Sequence, residues 1–155
     1  MNTTSDMLIL VRNTIAADAA LNAWCQANYT KNTSVYLGFD DDDPPKASDY
    51  PVVGIISSTR VRGADKHKDV WDVEISSLLE NDGKQSISNG ITYTGFLHAE
   101  SMRDLVENAL YRAKIANIET AGASAIFSNY PEFEAVSKVR ISLIADSRSG
   151  ISQRL

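Results

Sequence analysis

The strongest constraint on the fold is an alternation of apolar and polar residues between Val70 and Leu79. In an extended chain this alternation gives one face made of Trp71, Val73 and Ile75, and an opposite face made of Asp72, Glu74 and Ser76. A period of two is typical of a strand that is buried on one side and solvated on the other. The sequence therefore predicts a sheet with one face that other elements must cover.

Further strands are predicted on both sides of this segment. Pro51 to Arg62 reads as a strand, with proline at its first position, where the missing N–H does least harm. A turn at Gly63–His67 joins it to Val70–Leu79 as an antiparallel hairpin. Phe133 to Ala145 alternates again and predicts a closing strand. Weaker signals favour a short strand at Ser34–Phe39, one at Ile126–Phe127, and either a strand or the approach to a helix at Ile91–Leu97.

Three stretches have helical spacing. The first starts after a cap at Thr4 or Ser5, and Asp18 could cap a second, so that residues 5–28 form either one bent helix or two. The third starts at Glu100 and carries its apolar stripe from Met102 to Ala113. Together these elements predict an α+β fold: an antiparallel sheet of four to five strands with helices packed on one face. We expect a single domain over residues 1–155, with residues 146–155 as a frayed tail.

Charge and composition exclude several classes of function. Fifteen basic and twenty acidic residues give a net charge of −5, which argues against sequence-independent nucleic-acid binding and against binding to anionic lipid. The longest apolar run, Met7 to Val11, is too short to span a membrane, and no export leader is expected. The single cysteine, Cys25, excludes an internal disulfide and is expected to be a buried thiol.

Sequence patterns for catalysis are missing. Ser124 lacks the second glycine of a nucleophile elbow. Gly90 and Gly95 have the spacing of a phosphate loop, but Phe96 and Leu97 replace its lysine and hydroxyl residue. His67 and His98 do not have the spacing of metal ligands, and a surface or capping role is expected for each. The sequence therefore predicts no enzyme, no catalytic residue and no cofactor.

Two charged segments are the candidate functional residues. The acidic run lies in a loop before two prolines and consists of Asp40, Asp41, Asp42 and Asp43. It could be a solvated loop, a contact with a neighbouring subunit, or a site for a divalent cation. The basic residues surround the hairpin turn and are Arg60, Arg62, Lys66 and Lys68. Opposite charges on one chain suit a head-to-tail ring, because its two contact surfaces differ and must be complementary.

The order of these elements resembles one known family. The stretch from Asp49 to Ile56 reads DYPVVGII, and a polar turn follows it. The strand that begins WDVEI at Trp71 comes next, with an amphipathic helix before the hairpin, a second after it and a strand at the end. Over residues 5–146 this order resembles the phage tail terminator family. The chain departs from the family pattern in three places. The segment Gly83–Leu97 and the tail after Asp146 are longer than in the family, and the run Asp40–Asp43 is more acidic.

The resemblance implies a structural protein of a phage or prophage. Members of the family form hexameric rings that cap the tail tube, end its polymerisation and present a surface to the head-completion protein. It therefore implies a homo-oligomer with the tail tube and head-completion proteins as partners, present in the host bacterial cytoplasm during assembly and then in the virion tail. Alternative functions are another neck or head–tail joining protein, a small metal-binding enzyme that uses Asp40–Asp43, or a binding module unrelated to phage.

Overall fold

The computed structural model describes residues 2–38, 42–61, 67–116 and 124–144. Within these ranges the helices are α1 (Thr4–Ala16), α2 (Ala19–Tyr29) and α3 (Thr94–Arg112). The strands are β1 (Ser34–Leu37), β2 (Val52–Val61), β3 (Lys68–Glu80), β4 (Lys84–Ile87), β5 (Gly90–Tyr93), β6 (Ser124–Asn129) and β7 (Glu132–Ile144). A short 3-10 helix, Ala47–Asp49, lies between β1 and β2.

The main sheet has five strands in the order β1-β2-β3-β7-β6. The pairs β2–β3, β3–β7 and β6–β7 are antiparallel, as predicted, whereas β1 pairs with β2 in parallel. Parallel neighbours need a long crossover instead of a tight turn, and the chain between Leu37 and Val52 is long enough to provide one. The predicted α+β class is confirmed.

Burial along the central strands is mainly on one side, although Val70 and Ser76 on the other side are also buried, so the prediction that Ser76 is solvated was wrong. Odd-numbered residues of β3 and β7 face the helices, and Trp71, Phe133 and Ile141 among them are almost fully buried. Even-numbered residues lie on the opposite face, which we call the open face. Cys25 is buried as predicted, and burial raises the pKa of its thiol to about 11. The alternation in the sequence thus correctly identified which side of β3 the helices cover.

The helix boundaries differ from the prediction at two of the three starts. Thr3, not Thr4 or Ser5, caps α1, in a reciprocal arrangement with Asp6. Asp18 caps α2 by accepting a 2.9 Å hydrogen bond from the Leu21 amide, so the chain forms two helices here.

α3 begins at Thr94, six residues before the predicted Glu100, without a side-chain cap. Its first turn packs against the β3–β7 end of the sheet, and a Cβ at Gly95 would lie 2.3 Å from the ring of Phe133. This close approach requires glycine at position 95. The helical periodicity further along α3 does not indicate the contact, and the start of the helix was therefore predicted too late.

His98 also departs from its predicted surface or capping role. It is half-buried in α3, and its Nδ1 lies 2.8 Å from the hydroxyl of Tyr29. Its ring also makes an edge contact with Trp24, 5.3 Å between centroids. This imidazole is therefore a packed part of the α2–α3 contact, and its burial lowers the pKa of His98.

The polar stretch after β3 forms a second, two-stranded sheet. β4 and β5 pair through a turn at Ser88 and Asn89, where Asn89 adopts a left-handed φ of 68°. The base of this hairpin is held by the Thr94 amide, which donates to the Gly83 carbonyl over 3.0 Å. Its tip exposes Ile87 and Ile91. The segment Ile91–Leu97, predicted as either a strand or the approach to a helix, belongs to both, because β5 ends at Tyr93 and α3 begins at Thr94.

A β-bulge divides β2. The register with β3 shifts between Ile55 and Ser57, which leaves Ile56 as the extra residue. Beyond the bulge Ser58 and Arg60 lie opposite Val73 and Trp71, so they point toward the helices. The bulge therefore decides which face the arginine at the end of β2 occupies.

Candidate assembly surface

Arg60, predicted to lie in an exposed basic cluster, is used within the chain. Its guanidinium lies 2.9 Å from the carboxylate of Asp69, donates to the carbonyl of Asn2 over 3.1 Å, and stacks on the ring of Trp71 at 4.9 Å. Only 19% of its side chain is exposed. Of the other predicted basic residues, Lys68 is exposed, and Arg62 and Lys66 lie outside the described residues.

Asp69 completes the attachment of the N-terminal segment. It is buried, and it accepts hydrogen bonds from the backbone amide of Asn2 at 2.8 Å and from the Asn2 side chain at 3.2 Å. Burial raises the pKa of this carboxyl, but the hydrogen bonds from Asn2 and the charge of Arg60 outweigh it, so the net shift is downward. The cluster is a structural anchor with its charges satisfied.

The acidic run is only partly described. Asp42 and Asp43 are exposed, and Asp43 lies 3.9 Å from the ammonium group of Lys46, a pair too solvated to contribute much. Asp40 and Asp41 lie outside the described residues. Across the part of the chain that the structure describes, no group of three or more His, Cys, Asp or Glu side chains could hold a metal ion.

The middle of the open face carries two rows of paired charges. Arg140 on β7 donates to both carboxylate oxygens of Asp72 on β3, at 2.8 and 3.0 Å, and these hydrogen bonds lower the pKa of Asp72. One row further along, Lys138 lies 3.5 Å from Glu74. These side chains line a cavity of about 350 Å³ together with residues of β2. Each charge in this region has an opposite charge beside it.

The two ends of the same face lack this compensation. At one end Glu80 is the direct cross-strand partner of Glu132, and Glu134 follows two residues along on the same face. At the other end Lys68 is the cross-strand partner of Ile144. No salt bridge among the described residues includes Glu80, Glu132 or Lys68.

A groove lies at the acidic end. It has a volume of about 220 Å³, and its apolar lining comes from Tyr50, Leu78 and Phe127, with Glu132 and Glu134 at its edge. Burial and then the charges of the three glutamates raise the pKa of Tyr50. Phe127 is 55% exposed, and Ser76 donates a 2.6 Å hydrogen bond to Glu134. An apolar floor with an acidic edge is a surface suited to a cationic side chain with an apolar neighbour.

Sequence reasoning missed this groove. Its residues come from the crossover before β2, from β3, from β6 and from β7, and no spacing in the sequence brings them together. Extending the alternation of β3 to Glu80 would have placed that glutamate on the solvated face. The pairing of Glu80 with Glu132 depends on the register between two strands far apart in the chain.

None of the helices in the described ranges is long and apolar enough to cross a membrane.

Comparison with known proteins supports the fold. No protein-family profile matches the chain, and no curated protein sequence does either. Among solved structures it is similar to a chain of a structure described as the virion of a native gene transfer agent (GTA) particle, with a TM-score of 0.55 and 15% sequence identity. The match covers 87% of this chain and 92% of the other. At this identity the similarity establishes a shared fold.

Proposed function

We propose that this chain is a structural subunit of a phage or prophage virion. The observation that carries the proposal is the structural similarity to a chain of a virion, because it covers nearly the whole of both chains instead of one common motif. The element order that resembles phage tail terminators, from the segment at Asp49 through the strand at Trp71, supports the same class independently.

Within that class we propose the role of tail terminator. In this role copies of the chain form a ring, hexameric in the family, that caps the tail tube, ends its polymerisation and offers a surface to the head-completion protein. The chain would assemble in the cytoplasm of the host bacterium and remain in the virion tail. A ring subunit needs complementary surfaces and no reactive cleft, so the proposal includes the absence of catalysis.

The charge of the chain agrees with this role. A net charge of −5 makes the protein acidic overall, and an acidic ring around a DNA channel would repel phosphate instead of binding it. The opposite charges at the two ends of the open face supply different surfaces on one subunit. Head-to-tail contacts between such surfaces close into a ring when the rotation between neighbours permits it.

The oligomeric mass tests the proposal directly. Size-exclusion chromatography with multi-angle light scattering on the full chain is expected to give a stable six-subunit species. A twelve-subunit ring would favour a neck or head–tail connector instead. A monomer at high concentration would contradict self-assembly and support a binding module.

A genetic test separates the terminator from other virion parts. Removing the gene from the phage or prophage that carries it is expected to leave tails longer than normal, because polymerisation of the tube is no longer stopped. Supplying the purified chain while the tubes polymerise should restore the normal length, because a cap stops growth but does not shorten a finished tube. Tails of normal length that fail to join heads would indicate a joining protein.

A further inference from the structure

The open face of the β3–β7 pair is electrically polarised along its length. Opposite charges are paired in its middle rows, whereas one end carries Glu80, Glu132 and Glu134 and the other end carries Lys68. β3 contains 13 residues, so the two ends are about 40 Å apart at roughly 3.3 Å per residue. The acidic and basic ends are therefore too far apart to neutralise each other within one subunit.

The acidic end is unfavourable in an isolated subunit. Like charges directly opposite each other in an antiparallel pair are destabilising, and Glu80 and Glu132 have that relation. Glu134 adds a third carboxylate on the same face, beside the exposed ring of Phe127. A cation from outside the subunit would convert this repulsion into attraction.

We propose that the groove at the acidic end of one copy receives the basic end of a second copy. The acidic groove is formed by Tyr50, Leu78, Phe127, Glu132 and Glu134, and the basic end by Lys68 and Ile144. This inference rests on the proposed function, because it names the contact by which subunits of the assembly join.

The two surfaces match in both charge and polarity. Lys68 is exposed, and its cross-strand partner Ile144 is 81% exposed, so the basic end pairs one cation with one large apolar side chain. The groove pairs carboxylates with an apolar floor in the same way. Ile144 packs against Leu78 and Phe127, while the ammonium group of Lys68 lies between Glu80 and Glu132.

The contact is heterologous, since each copy binds one neighbour through its basic end and another neighbour through its acidic groove. Such a contact leaves an unused groove and an unused basic end on every open chain of subunits, and only closure into a ring satisfies both. Arg62 and Lys66, which add positive charge in sequence near Lys68, lie outside the described residues, and the contact does not depend on them.

Charge reversal on each side tests the pairing with the full-length chain. Glu132→Lys and Lys68→Glu are each expected to raise the dissociation constant of self-association at least about tenfold, because each places like charges in contact. The double variant, which carries both changes, is expected to recover most of the wild-type affinity. Sedimentation velocity over a concentration series measures all four proteins.

Matched controls separate the contact from a general charge effect. Asp104→Lys and Arg12→Glu make the same changes of charge at exposed positions on the helices, and self-association should stay within about twofold of wild type. Glu132→Lys places a cation opposite Glu80, so it should not unfold the subunit. Phe127→Ala provides a second, uncharged variant of the groove and is also expected to weaken self-association.

The outcomes distinguish this contact from the proposed function. If the wild type forms a ring and both reversals leave it intact, the contact is wrong while the assembly role stands. If the single reversals weaken the ring and the double variant does not recover, direct pairing of Lys68 with Glu132 is excluded. A wild-type chain that remains monomeric at every concentration overturns both the contact and the proposed role.

Discussion

The middle and the acidic end of the β3–β7 pair share the same strands and the same register. They differ in charge pairing, because opposite charges face each other in the middle and like charges face each other at the end. In the middle Asp72 meets Arg140 and Glu74 meets Lys138. At the end Glu80 meets Glu132. The difference does not come from weaker packing underneath, because Phe133 at the end is as deeply buried as Trp71 in the middle.

This comparison separates the residues that hold the fold from those available for contact. Along the helix-covered face the apolar side chains of both strands contribute to one continuous core, from Trp71 to Leu79 on β3 and from Phe133 to Ile141 on β7. Along the open face the charges in the middle form ion pairs within the subunit, Asp72 with Arg140 and Glu74 with Lys138. At the ends Glu80, Glu132 and Lys68 form no salt bridge with any residue that the structure describes, and they are therefore the residues from which we expect assembly contacts.

The largest expected effect tests whether the core is uniform. Trp71→Ala and Phe133→Ala should each reduce the free energy of unfolding by about 3–5 kcal/mol, because each removes a fully buried aromatic side chain. Urea denaturation of the isolated subunit measures both. If Phe133→Ala reduced the free energy of unfolding by less than about 1 kcal/mol while Trp71→Ala reduced it by the full amount of about 3–5 kcal/mol, the acidic end would be more loosely packed than the middle.

The next effect concerns acid sensitivity in the middle of the open face. Arg140 lowers the pKa of Asp72 in the folded protein, so this carboxylate stabilises the fold above its ordinary pKa of 3.8 and loses that contribution as the pH falls through the lowered value. Asp72→Asn should reduce stability at neutral pH, and the difference from wild type should shrink toward acid pH.

Urea midpoints measured from neutral pH into the acid range test this prediction. A difference between Asp72→Asn and wild type that stays constant as the pH falls would exclude the ion pair as its cause. Ser57→Ala, a nearby exposed change without a carboxyl group, is the matched control and should show no dependence on pH over this range.

The smallest effect has opposite signs in the two regions. Glu74→Gln removes a partner of Lys138 and should destabilise the subunit by about 0.2–1 kcal/mol, whereas Glu80→Gln relieves repulsion from Glu132 and should stabilise it by a few tenths of a kcal/mol. Thermal unfolding at low salt and at low protein concentration compares the two variants. If both variants destabilised the subunit, Glu80 and Glu132 would not repel each other measurably.

Much of the fold could be predicted from the sequence. The alternation through Trp71 identified the buried face of β3, and Asp18 was correctly identified as the cap of α2. The parallel pairing of β1 and the start of α3 at Thr94 could not be predicted, because the first depends on a crossover and the second on packing against Phe133.

The candidate site was less predictable than the fold. The sequence suggested Arg60 as an exposed cation, but the bulge at Ile56 turns it toward Trp71 and Asp69. Lys68 is exposed as expected, and the role of the described acidic residues Asp42 and Asp43 in subunit contact stays a prediction. The alternation could have placed Glu80, Glu132 and Glu134 on solvated faces, but the pairing of Glu80 with Glu132 depends on a register that the sequence does not give.

The alternation of apolar and polar residues was enough to identify the helix-covered side of β3, because a period of two is a local property of an extended chain and its apolar side must leave water. It did not indicate the burial of Arg60 or of Ser76. Which charges are neutralised within the subunit cannot be read from such a local pattern. It depends on the register between β3 and β7, which are separated along the chain by the β4–β5 sheet, α3 and β6, and on one extra residue in β2. Register arises from long-range packing, and a pattern confined to neighbouring residues does not contain it.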